Sequence, residues 1–208
     1  MARYFLIRHG ITEGIEQGIL QGATDSPLSR TGREQAQLTG EAFRSIEIND
    51  VYTSPLSRAV ETASEICRVK NLDLIKCDEF QEMDFGWLEG KRNYWPLVRD
   101  KKLLIVLYLV MRLVVAMFSG ESLRHFRRRV VSGWQHIKQE NNKGACVVVA
   151  HAGVLRAILT HEFGGHYLSV DRFSLHACSI SEIEILPGKQ ARIISLNDTA
   201  HLNQMVLG

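Results

Sequence analysis

The stretch YFLIRHG at residues 4–10 decides the fold of this chain, because a run of apolar residues ends there in an arginine, a histidine and a glycine. A second run, CVVVAH at residues 146–151, also ends in a histidine. Short apolar, β-branched runs of this kind predict buried strands. The carboxyl ends of parallel strands meet at one edge of an open α/β sheet, where ligands bind. The sequence therefore predicts that His9 and His151 lie together at such an edge.

Two arginines accompany these histidines. Arg8 directly precedes His9, and Arg58 lies in the segment SPLSRA at residues 54–59, which follows another apolar run. Each guanidinium group can grip two oxygens of a phosphoryl group at once. Two guanidinium groups and two imidazoles that converge on one point would form a receptor for a tetrahedral dianion.

Apolar runs alternate with helix-compatible segments along most of the chain. This alternation predicts a largely parallel sheet with helices on both faces, an α/β fold of three α/β/α layers. Pro55 is expected in the first turn of a helix, which would place Arg58 one turn along that helix. The predicted strands are 3–8, 50–53, 72–77, 145–150, 179–186 and 191–196, and the predicted helices are 31–45, 55–70, 121–141 and 153–163.

Length, charge and cysteine content narrow the class of protein. The 208 residues suffice for one domain, and 45% hydrophobic and 23% charged residues are typical of a globular chain. A net charge of +2 is too small to indicate a nucleic-acid partner, and the basic run at residues 124–129 is expected to be a solvated helix face. The four cysteines show no Cys-x-x-Cys pairing and no leader precedes the first strand, so we expect the reducing cytoplasm.

An insertion at about residues 91–120 interrupts the alternation, and we expect it to cap the ligand site of a single domain spanning residues 1–208. Within it, residues 103–118 (LLIVLYLVMRLVVAMF) are apolar except for Arg112. A helix of that length rises only about 24 Å, less than the roughly 30 Å of a bilayer core, so we expect no membrane span. A buried cap helix, a homodimer contact, an apolar wall for the substrate and a membrane-surface contact stay open.

Short motifs follow one another along most of the chain. They are RHG at 8–10 with Thr12, QG at 21–22, DSPLS at 25–29, TGREQA at 31–36, YTSPLSRAVETA at 52–63, EMDFGWLEG at 82–90, GES at 120–122, AHAGVLR at 150–156 and LNDTAHL at 196–202. Any one of them is weak evidence, but the ordered set is specific. The set resembles the histidine phosphatase superfamily, with its phosphoglycerate-mutase-like fold, and its small phosphatase branch more than its mutases.

The resemblance implies a metal-independent phosphomonoesterase that acts on a small phosphorylated metabolite and needs no cofactor. His9 would attack phosphorus as a neutral imidazole and form a phosphohistidine intermediate. Arg8, Arg58 and His151 would hold the phosphoryl oxygens and neutralise their charge.

Glu82 stands where the family carries its proton donor, and it would protonate the leaving group and later activate water. Asp84 is the rival, because the two carboxylates would share a face if residues 82–84 are extended. The family match favours Glu82. The remaining candidates for substrate contacts are Thr12, Gln21, Gly22 and the backbone N–H of Ala152.

Two positions depart from the family pattern. Glu16 stands where many relatives carry asparagine, and its charge would repel a phosphate unless it turns outward or pairs with a cation such as Arg58. His176 stands where asparagine is common, and it would either reach the site or simply pack.

A metal site is not expected. The segment HEFGGH at residues 161–166 resembles the zinc-protease motif, but its second histidine comes one residue too late and two glycines interrupt the helix. The arginines already supply the positive charge that a metal would bring to phosphoryl transfer.

Three other functions remain as alternatives to the phosphatase. A phosphoglycerate-type mutase would return the phosphoryl group to a second hydroxyl of the substrate, but the usual mutase sequence after the general acid is replaced here by FGWLEG at residues 85–90. A non-catalytic regulatory module would keep the phosphate pocket without turnover. A phosphocarrier would need an exposed histidine.

Overall fold

A six-stranded sheet forms the centre of the computed structural model, which describes residues 1–92, 120–141, 143–165, 173–186 and 190–206. The strands are β1 (Ala2–Arg8), β2 (Asp50–Thr53), β3 (Leu74–Lys76), β4 (Gly144–Ala150), β5 (Ile180–Ile185) and β6 (Arg192–Asp198). The helices are α1 (Glu13–Glu16), α2 (Arg30–Ala42), α3 (Ser57–Lys70), α4 (Leu123–Glu140) and α5 (Ala152–Phe163), with 3₁₀ turns at Asp78–Phe80, Gly86–Leu88 and Ala200–Val206. Each predicted strand and helix is found, within a few residues at its ends.

The strand order β3-β2-β4-β1-β5-β6 places the two histidine-bearing strands side by side. Strands β3, β2, β4 and β1 are parallel, whereas β5 runs antiparallel to β1 and β6 antiparallel to β5. The sheet is therefore mostly parallel, as predicted. In a parallel sheet the ends of β1, β2 and β4 meet at one edge, which is where the site lies.

Side chains of β1 alternate between two apolar cores, one on each face of the sheet. Tyr4 packs edge-on against Trp134 of α4, with ring centroids 4.8 Å apart, in a core shared with α5. Phe5 packs against Phe43, at the end of α2, with centroids 5.2 Å apart, in a core shared with α3. Period-two alternation within a strand thus feeds both helical layers. The α/β/α architecture is confirmed.

Helix α3 begins later than the sequence indicated. Pro55 was expected in its first turn, but the helix starts at Ser57 with Leu56 as the N-cap. The backbone N–H of Leu56 donates to Ser54 Oγ at 3.4 Å, so residues 54–56 form a turn between strand and helix. Arg58 is therefore in the first helical turn rather than one turn along, and its side chain starts close to the edge of the sheet.

The basic run on α4 is only partly a solvated face. Arg124, Arg127 and Arg128 are exposed, as expected, but Phe126 is buried and Arg129 turns inward. The prediction of a solvent-facing run was wrong for Arg129, because a buried carboxylate and several backbone carbonyls bind its guanidinium group.

The loop after β1 touches the start of α2 at two glycines. A Cβ on Gly10 would lie 2.6 Å from the carbonyl oxygen of Gly32, and a Cβ on Gly32 would collide with the carbonyl group of Ile11. Real side chains do not tolerate such contacts, so both positions need glycine for the backbones to approach. The N-cap Ser29, whose side chain accepts from the Gly32 amide, fixes the other side of this contact.

Cys67, Cys77, Cys146 and Cys178 are all free thiols. No helix within the described ranges is long and apolar enough to cross a membrane. Residues 93–119, which hold most of the expected cap insertion and all of the apolar segment 103–118, lie outside the described residues.

Candidate active site

The two histidines meet at the end of β1 and β4. The strands pair with Arg8 opposite Ala150, and the His9 amide donates to the Ala150 carbonyl at 2.9 Å. The imidazole centroids are 5.0 Å apart with the ring planes at 61°, and the residues are only 5% and 1% exposed. The structure therefore brings His9 and His151 together at the sheet edge where the sequence placed them.

The His9 ring is oriented by its own backbone. Nδ1 lies 2.8 Å from the carbonyl oxygen of Gly10, which can only accept, so Nδ1 carries the proton. Nε2 then holds an unprotonated lone pair. Burial lowers the pKa of His9 well below its usual range, with Arg8 and Arg58 acting in the same direction and the Gly10 contact opposing them. The ring is therefore neutral at pH 7, in the tautomer that suits a nucleophile.

The His151 ring has hydrogen-bonding partners at both nitrogens. Arg58 Nε donates to Nδ1 at 3.3 Å, so the proton of the neutral ring sits on Nε2 and is donated to Ser54 Oγ at 2.7 Å. Burial lowers the pKa of His151 well below its usual range, and His9 and Arg58 lower it further. Ser54 was not assigned a role from sequence. It is the first residue after β2, so the strand-end rule that selected both histidines could have found it.

Arg58 is 1% exposed and several protein groups bind it. Besides His151, its guanidinium group donates to the carbonyl oxygens of Gly22 at 2.7 Å and Thr24 at 3.0 Å, and it lies 3.8 Å from the exposed carboxylate of Asp25. Within the described ranges, three of the five N–H groups of this arginine donate hydrogen bonds to protein groups, so two are available to a ligand there. Arg58 orients His151 as well as offering charge.

Glu89 holds the loop that binds Arg58. Its carboxylate accepts from the backbone amides of Ala23 at 2.9 Å, Thr24 at 2.7 Å and Phe85 at 2.8 Å. Burial alone would raise the pKa of Glu89, but these hydrogen bonds outweigh it and lower the pKa. The Glu89 carboxylate therefore links the loop at residues 22–24 to residue 85. It acts on the site only through that loop, which binds Arg58.

Arg8 has a buried donor without a partner among the residues that the structure describes. Its Nη1 donates to the Leu175 carbonyl at 2.8 Å, whereas its Nε makes no hydrogen bond within those residues. Burial lowers the pKa of the guanidinium group, Glu82 opposes this, and Arg156 and Arg58 lower it further. A buried, unsatisfied N–H costs free energy, and an anion placed beside it would recover that cost.

Glu82 and Asp84 point to different partners. The carboxylate of Glu82 accepts from the backbone amides of Met83 at 2.9 Å and Gly153 at 3.0 Å, so it lies at the start of α5, beside His151. Asp84 instead accepts from the Gly86 amide at 2.6 Å, within its own loop. The contact with the Gly153 amide places the Glu82 carboxylate at the first turn of α5, which follows His151, and the choice of Glu82 over Asp84 as proton donor stays a prediction.

Arg129 fixes the backbone that carries Glu82. Its guanidinium group donates to the carbonyls of Glu79 at 2.8 Å, Gln81 at 2.6 Å and Glu82 at 3.2 Å. The nearly buried Glu121 binds the same group through both oxygens, each at 2.7 Å. A basic run on a helix gives no signal of which arginine turns inward, so this role of Arg129 could not be predicted from the sequence.

The remaining predicted contact residues lie around this centre with different partners. The Thr12 hydroxyl caps α1 and donates to Gln21 Oε1 at 2.7 Å. Gly22 is buried, and its carbonyl oxygen binds Arg58 as described above. Ala152 is the first residue of α5, so its backbone N–H belongs to the positive end of that helix.

The two departures from the family pattern are both exposed. Glu16 ends α1 and turns outward, which is the first of the two arrangements expected of it. The side chain of His176 is exposed, and the backbone amide of His176 donates to Asn197 Oδ1 at 2.6 Å.

Acidic and histidine side chains do not cluster as metal ligands in the described part of the chain. In the segment at residues 161–166, Glu162 binds Trp134 Nε1 at 2.7 Å and Lys138 Nζ at 2.5 Å, so its carboxylate serves the α4–α5 interface. His166 lies outside the described residues.

Comparison with known proteins gives one consistent result. The family model of the histidine phosphatase superfamily (branch 1) matches residues 4–199. Phosphatase PhoE of Bacillus subtilis is 32% identical over 99% of this chain and 100% of that protein, and phosphoserine phosphatase 1 of Hydrogenobacter thermophilus is 28% identical over 98% and 96%. The crystal structure of the alpha-ribazole phosphatase from Shigella flexneri superposes with a TM-score of 0.79 at 26% identity, over 94% of this chain and 96% of that one.

Proposed function

The chain belongs to the histidine phosphatase superfamily and is a phosphatase, and on that premise we propose a metal-independent phosphomonoesterase that acts through a phosphohistidine on His9. The observation that carries the proposal is the contact of His9 Nδ1 with the Gly10 carbonyl. It leaves Nε2 unprotonated in a buried site between guanidinium groups, where a neutral nucleophile can meet a phosphoryl dianion.

The first half-reaction transfers the phosphoryl group to the enzyme. His9 Nε2 forms a bond to phosphorus while the bond from phosphorus to the ester oxygen breaks. The protonated form of Glu82 gives its proton to that oxygen, so the leaving group departs as a neutral alcohol. Arg8 and Arg58 balance the charge of the transferring group, which is the task that a metal would otherwise perform.

The second half-reaction regenerates the enzyme. The Glu82 carboxylate takes a proton from water as its oxygen bonds to phosphorus, and the bond from phosphorus to His9 Nε2 breaks. Inorganic phosphate leaves, and both side chains return to their initial protonation states. In this proposal Thr12 and Gln21 shape the wall of the site, Gly22 holds Arg58, and the N–H of Ala152 offers a further phosphate contact.

The proposal also includes the cellular location, the domain organisation and the substrate of the enzyme. We place the enzyme in the cytoplasm, since its four cysteines are free thiols. A single domain with a cap insertion at about residues 91–120 remains a prediction. A homodimer contact is one of the roles left open for the apolar segment 103–118, beside a buried cap helix, an apolar wall for the substrate and a membrane-surface contact. The substrate is a small phosphorylated metabolite, without nucleic acid as a partner.

Trapping the intermediate tests the mechanism. Wild-type protein quenched within milliseconds of mixing with ³²P-labelled substrate should retain label that is stable in base and lost in acid, as a phosphohistidine requires. His9→Ala should retain none, whereas the exposed control His176→Ala should label like the wild type. Label retained on His9→Ala would contradict the proposal.

Further measurements separate the alternatives. Glu82→Gln should slow alkyl phosphates far more than aryl phosphates, whose leaving groups need less protonation, and Asp84→Asn should not show this difference. Full activity should persist in EDTA. Transfer of label to a second hydroxyl of phosphoglycerate, in place of phosphate release, would indicate a mutase, and binding without turnover would indicate a regulatory module.

A further inference from the structure

The edge of the sheet that carries the two histidines also receives the start of β5. Because β5 runs antiparallel to β1, its amino end lies at the same edge as the carboxyl end of β1. The last paired residues at this end are Ile7 and Ile180. One residue beyond that pair, Arg8 ends β1 and Ser179 directly precedes β5. The Cys178 amide donates to the Arg8 carbonyl at 2.9 Å, which holds the two backbones together there.

Both of these neighbouring side chains have a polar atom without a partner. The Ser179 hydroxyl is fully buried and makes no hydrogen bond to the residues that the structure describes, and the buried Arg8 Nε makes none either. Within the described ranges, these are the only two fully buried side-chain nitrogen or oxygen atoms that lack a partner. Such atoms nearly always have one, because an unsatisfied polar group costs free energy. An oxygen atom placed between the two would satisfy both.

The free edge of the Arg8 guanidinium group suits a phosphoryl group. Nη1 is bound to the Leu175 carbonyl, whereas Nε and Nη2 make no hydrogen bond to the described part of the chain. These two nitrogens lie on one edge of the planar group and donate parallel hydrogen bonds, the arrangement that matches two oxygens of a phosphate. The oxygen bound at Nε is the one closest to Ser179.

Two other buried serines show that the free hydroxyl of Ser179 is exceptional. Ser54, which follows β2 at the same edge, accepts from His151 Nε2 at 2.7 Å. Ser181, two residues further along β5, accepts from the Asn197 amide at 3.0 Å. All three side chains are fully buried, but only the hydroxyl of Ser179 has no partner among the described residues. It is therefore available to a ligand at the site.

We propose that the Ser179 hydroxyl is a further phosphate-binding group, which donates a hydrogen bond to the phosphoryl oxygen that Arg8 Nε binds. The inference rests on the proposed phosphomonoesterase activity. Ser179 contacts the phosphoryl group and not the leaving group, so its contribution is the same for every ester. A water molecule that stays between the two atoms would satisfy them equally well, and a structure with a phosphoryl mimic distinguishes the two sources of oxygen.

Kinetics measure the contact. Ser179→Ala should lower kcat/KM about 10- to 30-fold for p-nitrophenyl phosphate and for an alkyl phosphate alike, because a hydrogen bond to a charged acceptor is worth roughly this much. The inhibition constant of inorganic phosphate should rise about tenfold for the same reason. Ser179→Thr, which keeps the hydroxyl, should recover part of the loss. A loss in Ser179→Ala confined to one leaving group would overturn the assignment.

Ser181→Ala is the matched control. It removes an equally buried hydroxyl from the same strand, so it should lower the midpoint of thermal unfolding through the lost Asn197 contact. Its kcat/KM should stay within about twofold of the wild type, since that hydroxyl has a protein partner. Equal losses of kcat/KM in Ser179→Ala and Ser181→Ala would mean that both serines serve only the fold, and the inference would be wrong.

A crystal structure of the wild type with orthovanadate decides the source of the oxygen, because vanadate mimics the transferring phosphoryl group. A vanadate oxygen within about 3.2 Å of both Ser179 Oγ and Arg8 Nε would support the proposal, and it would do so even if Ser179→Ala does not fold. A water molecule there, with every vanadate oxygen elsewhere, would overturn it. If p-nitrophenyl phosphate is not hydrolysed, the proposed function fails instead. Calorimetric titration with inorganic phosphate then tests Ser179, since equal affinity of wild type and Ser179→Ala would contradict the contact.

Discussion

His9 and His151 are the same residue type at equivalent ends of adjacent strands, yet their hydrogen-bonding partners differ, and the proposed mechanism gives them different tasks. His9 has one nitrogen bound to a backbone carbonyl and the other free of protein partners within the described residues. His151 has both nitrogens bound, one by Arg58 and one by Ser54. The free nitrogen can form a new bond, whereas the fully bound ring can only hold or donate.

In the proposed mechanism the hydrogen-bond partner, more than the location, determines which histidine reacts. Both rings are buried, and burial lowers the pKa of each well below its usual range. Both are therefore neutral at pH 7, and charge does not distinguish them. The tautomer does, since the Gly10 carbonyl fixes the proton of His9 on Nδ1 and Arg58 excludes the proton of His151 from Nδ1.

The largest expected effect separates the two rings by substitution. His9→Ala removes the nucleophile and should lower kcat by at least about 10⁴-fold, whereas His151→Ala removes one stabilising group and should cost about 10² to 10³-fold. Phosphate release from p-nitrophenyl phosphate measures both. Equal losses, or a larger loss for His151→Ala, would contradict the assignment of His9 as the nucleophile and His151 as the residue that holds the phosphoryl oxygens.

Because burial lowers the pKa of both rings, the free energy of unfolding should depend on pH. In the unfolded chain each histidine has its ordinary pKa near 6.5. In the folded state the pKa of each ring lies well below that value. Below pH 6.5 the unfolded state therefore binds more protons than the folded state. Stability should be complete above pH 6.5 and fall below it, by up to about 1.4 kcal/mol per pH unit for each ring. His201, whose pKa burial also lowers, adds to this slope.

Urea unfolding at pH 7.5, 6.5 and 5.5 measures that slope. His151→Gln should flatten it by the share of one ring, and His176→Gln, at an exposed position, serves as the control. A wild-type free energy of unfolding that stays constant between pH 6.5 and 5.5 would show that the buried rings are already protonated in the folded state.

Ser54 offers a smaller perturbation, because its hydroxyl contacts the His151 ring and the turn that precedes α3. Ser54→Ala removes the acceptor for His151 Nε2 and frees that ring to turn, so kcat should fall about tenfold, the cost of one hydrogen bond of about 1.4 kcal/mol. Ser57→Ala, three residues further along the chain, is the control, because the hydroxyl of the half-buried Ser57 donates to Asp25 and Ser26 and to neither histidine among the described residues. Wild-type rates in Ser54→Ala would show that Arg58 alone orients His151.

Arg129 gives the smallest effect, because it acts on Glu82 through the backbone. Arg129→Lys keeps the charge but loses the planar fork that binds several carbonyls and Glu121 at once. Alkyl phosphates should slow about three- to fivefold while aryl phosphates stay within about twofold. Arg127→Lys on the exposed side of α4 is the matched control. An equal loss on both substrate types would assign Arg129 to stability alone.

The sequence predicted the parts of the site that depend on strand ends and missed those that depend on loops. His9 and His151 could be located because each ends an apolar run. The alternation of strands and helices predicts that these runs form parallel strands, whose carboxyl ends lie at one edge of the sheet. The partners of Arg58 could not be predicted, since the carbonyls of Gly22 and Thr24 lie about 35 residues away in sequence and carry no side-chain signal. The start of α3 was misplaced because Pro55 is compatible with a helix, whereas the Ser54–Leu56 contact sets a turn there.

The contact between Gly10 and Gly32 also limits how this enzyme can be altered. At this contact the two backbones lie directly against each other with no side chain between them, and neither position accepts even a methyl group. A substitution at one glycine has no compensating partner, since the other is already the smallest residue. Libraries designed for bulkier esters should therefore keep residues 10 and 32 fixed. Variation belongs instead at positions such as Trp87, whose side chain is exposed, and not at Glu82 or Glu89.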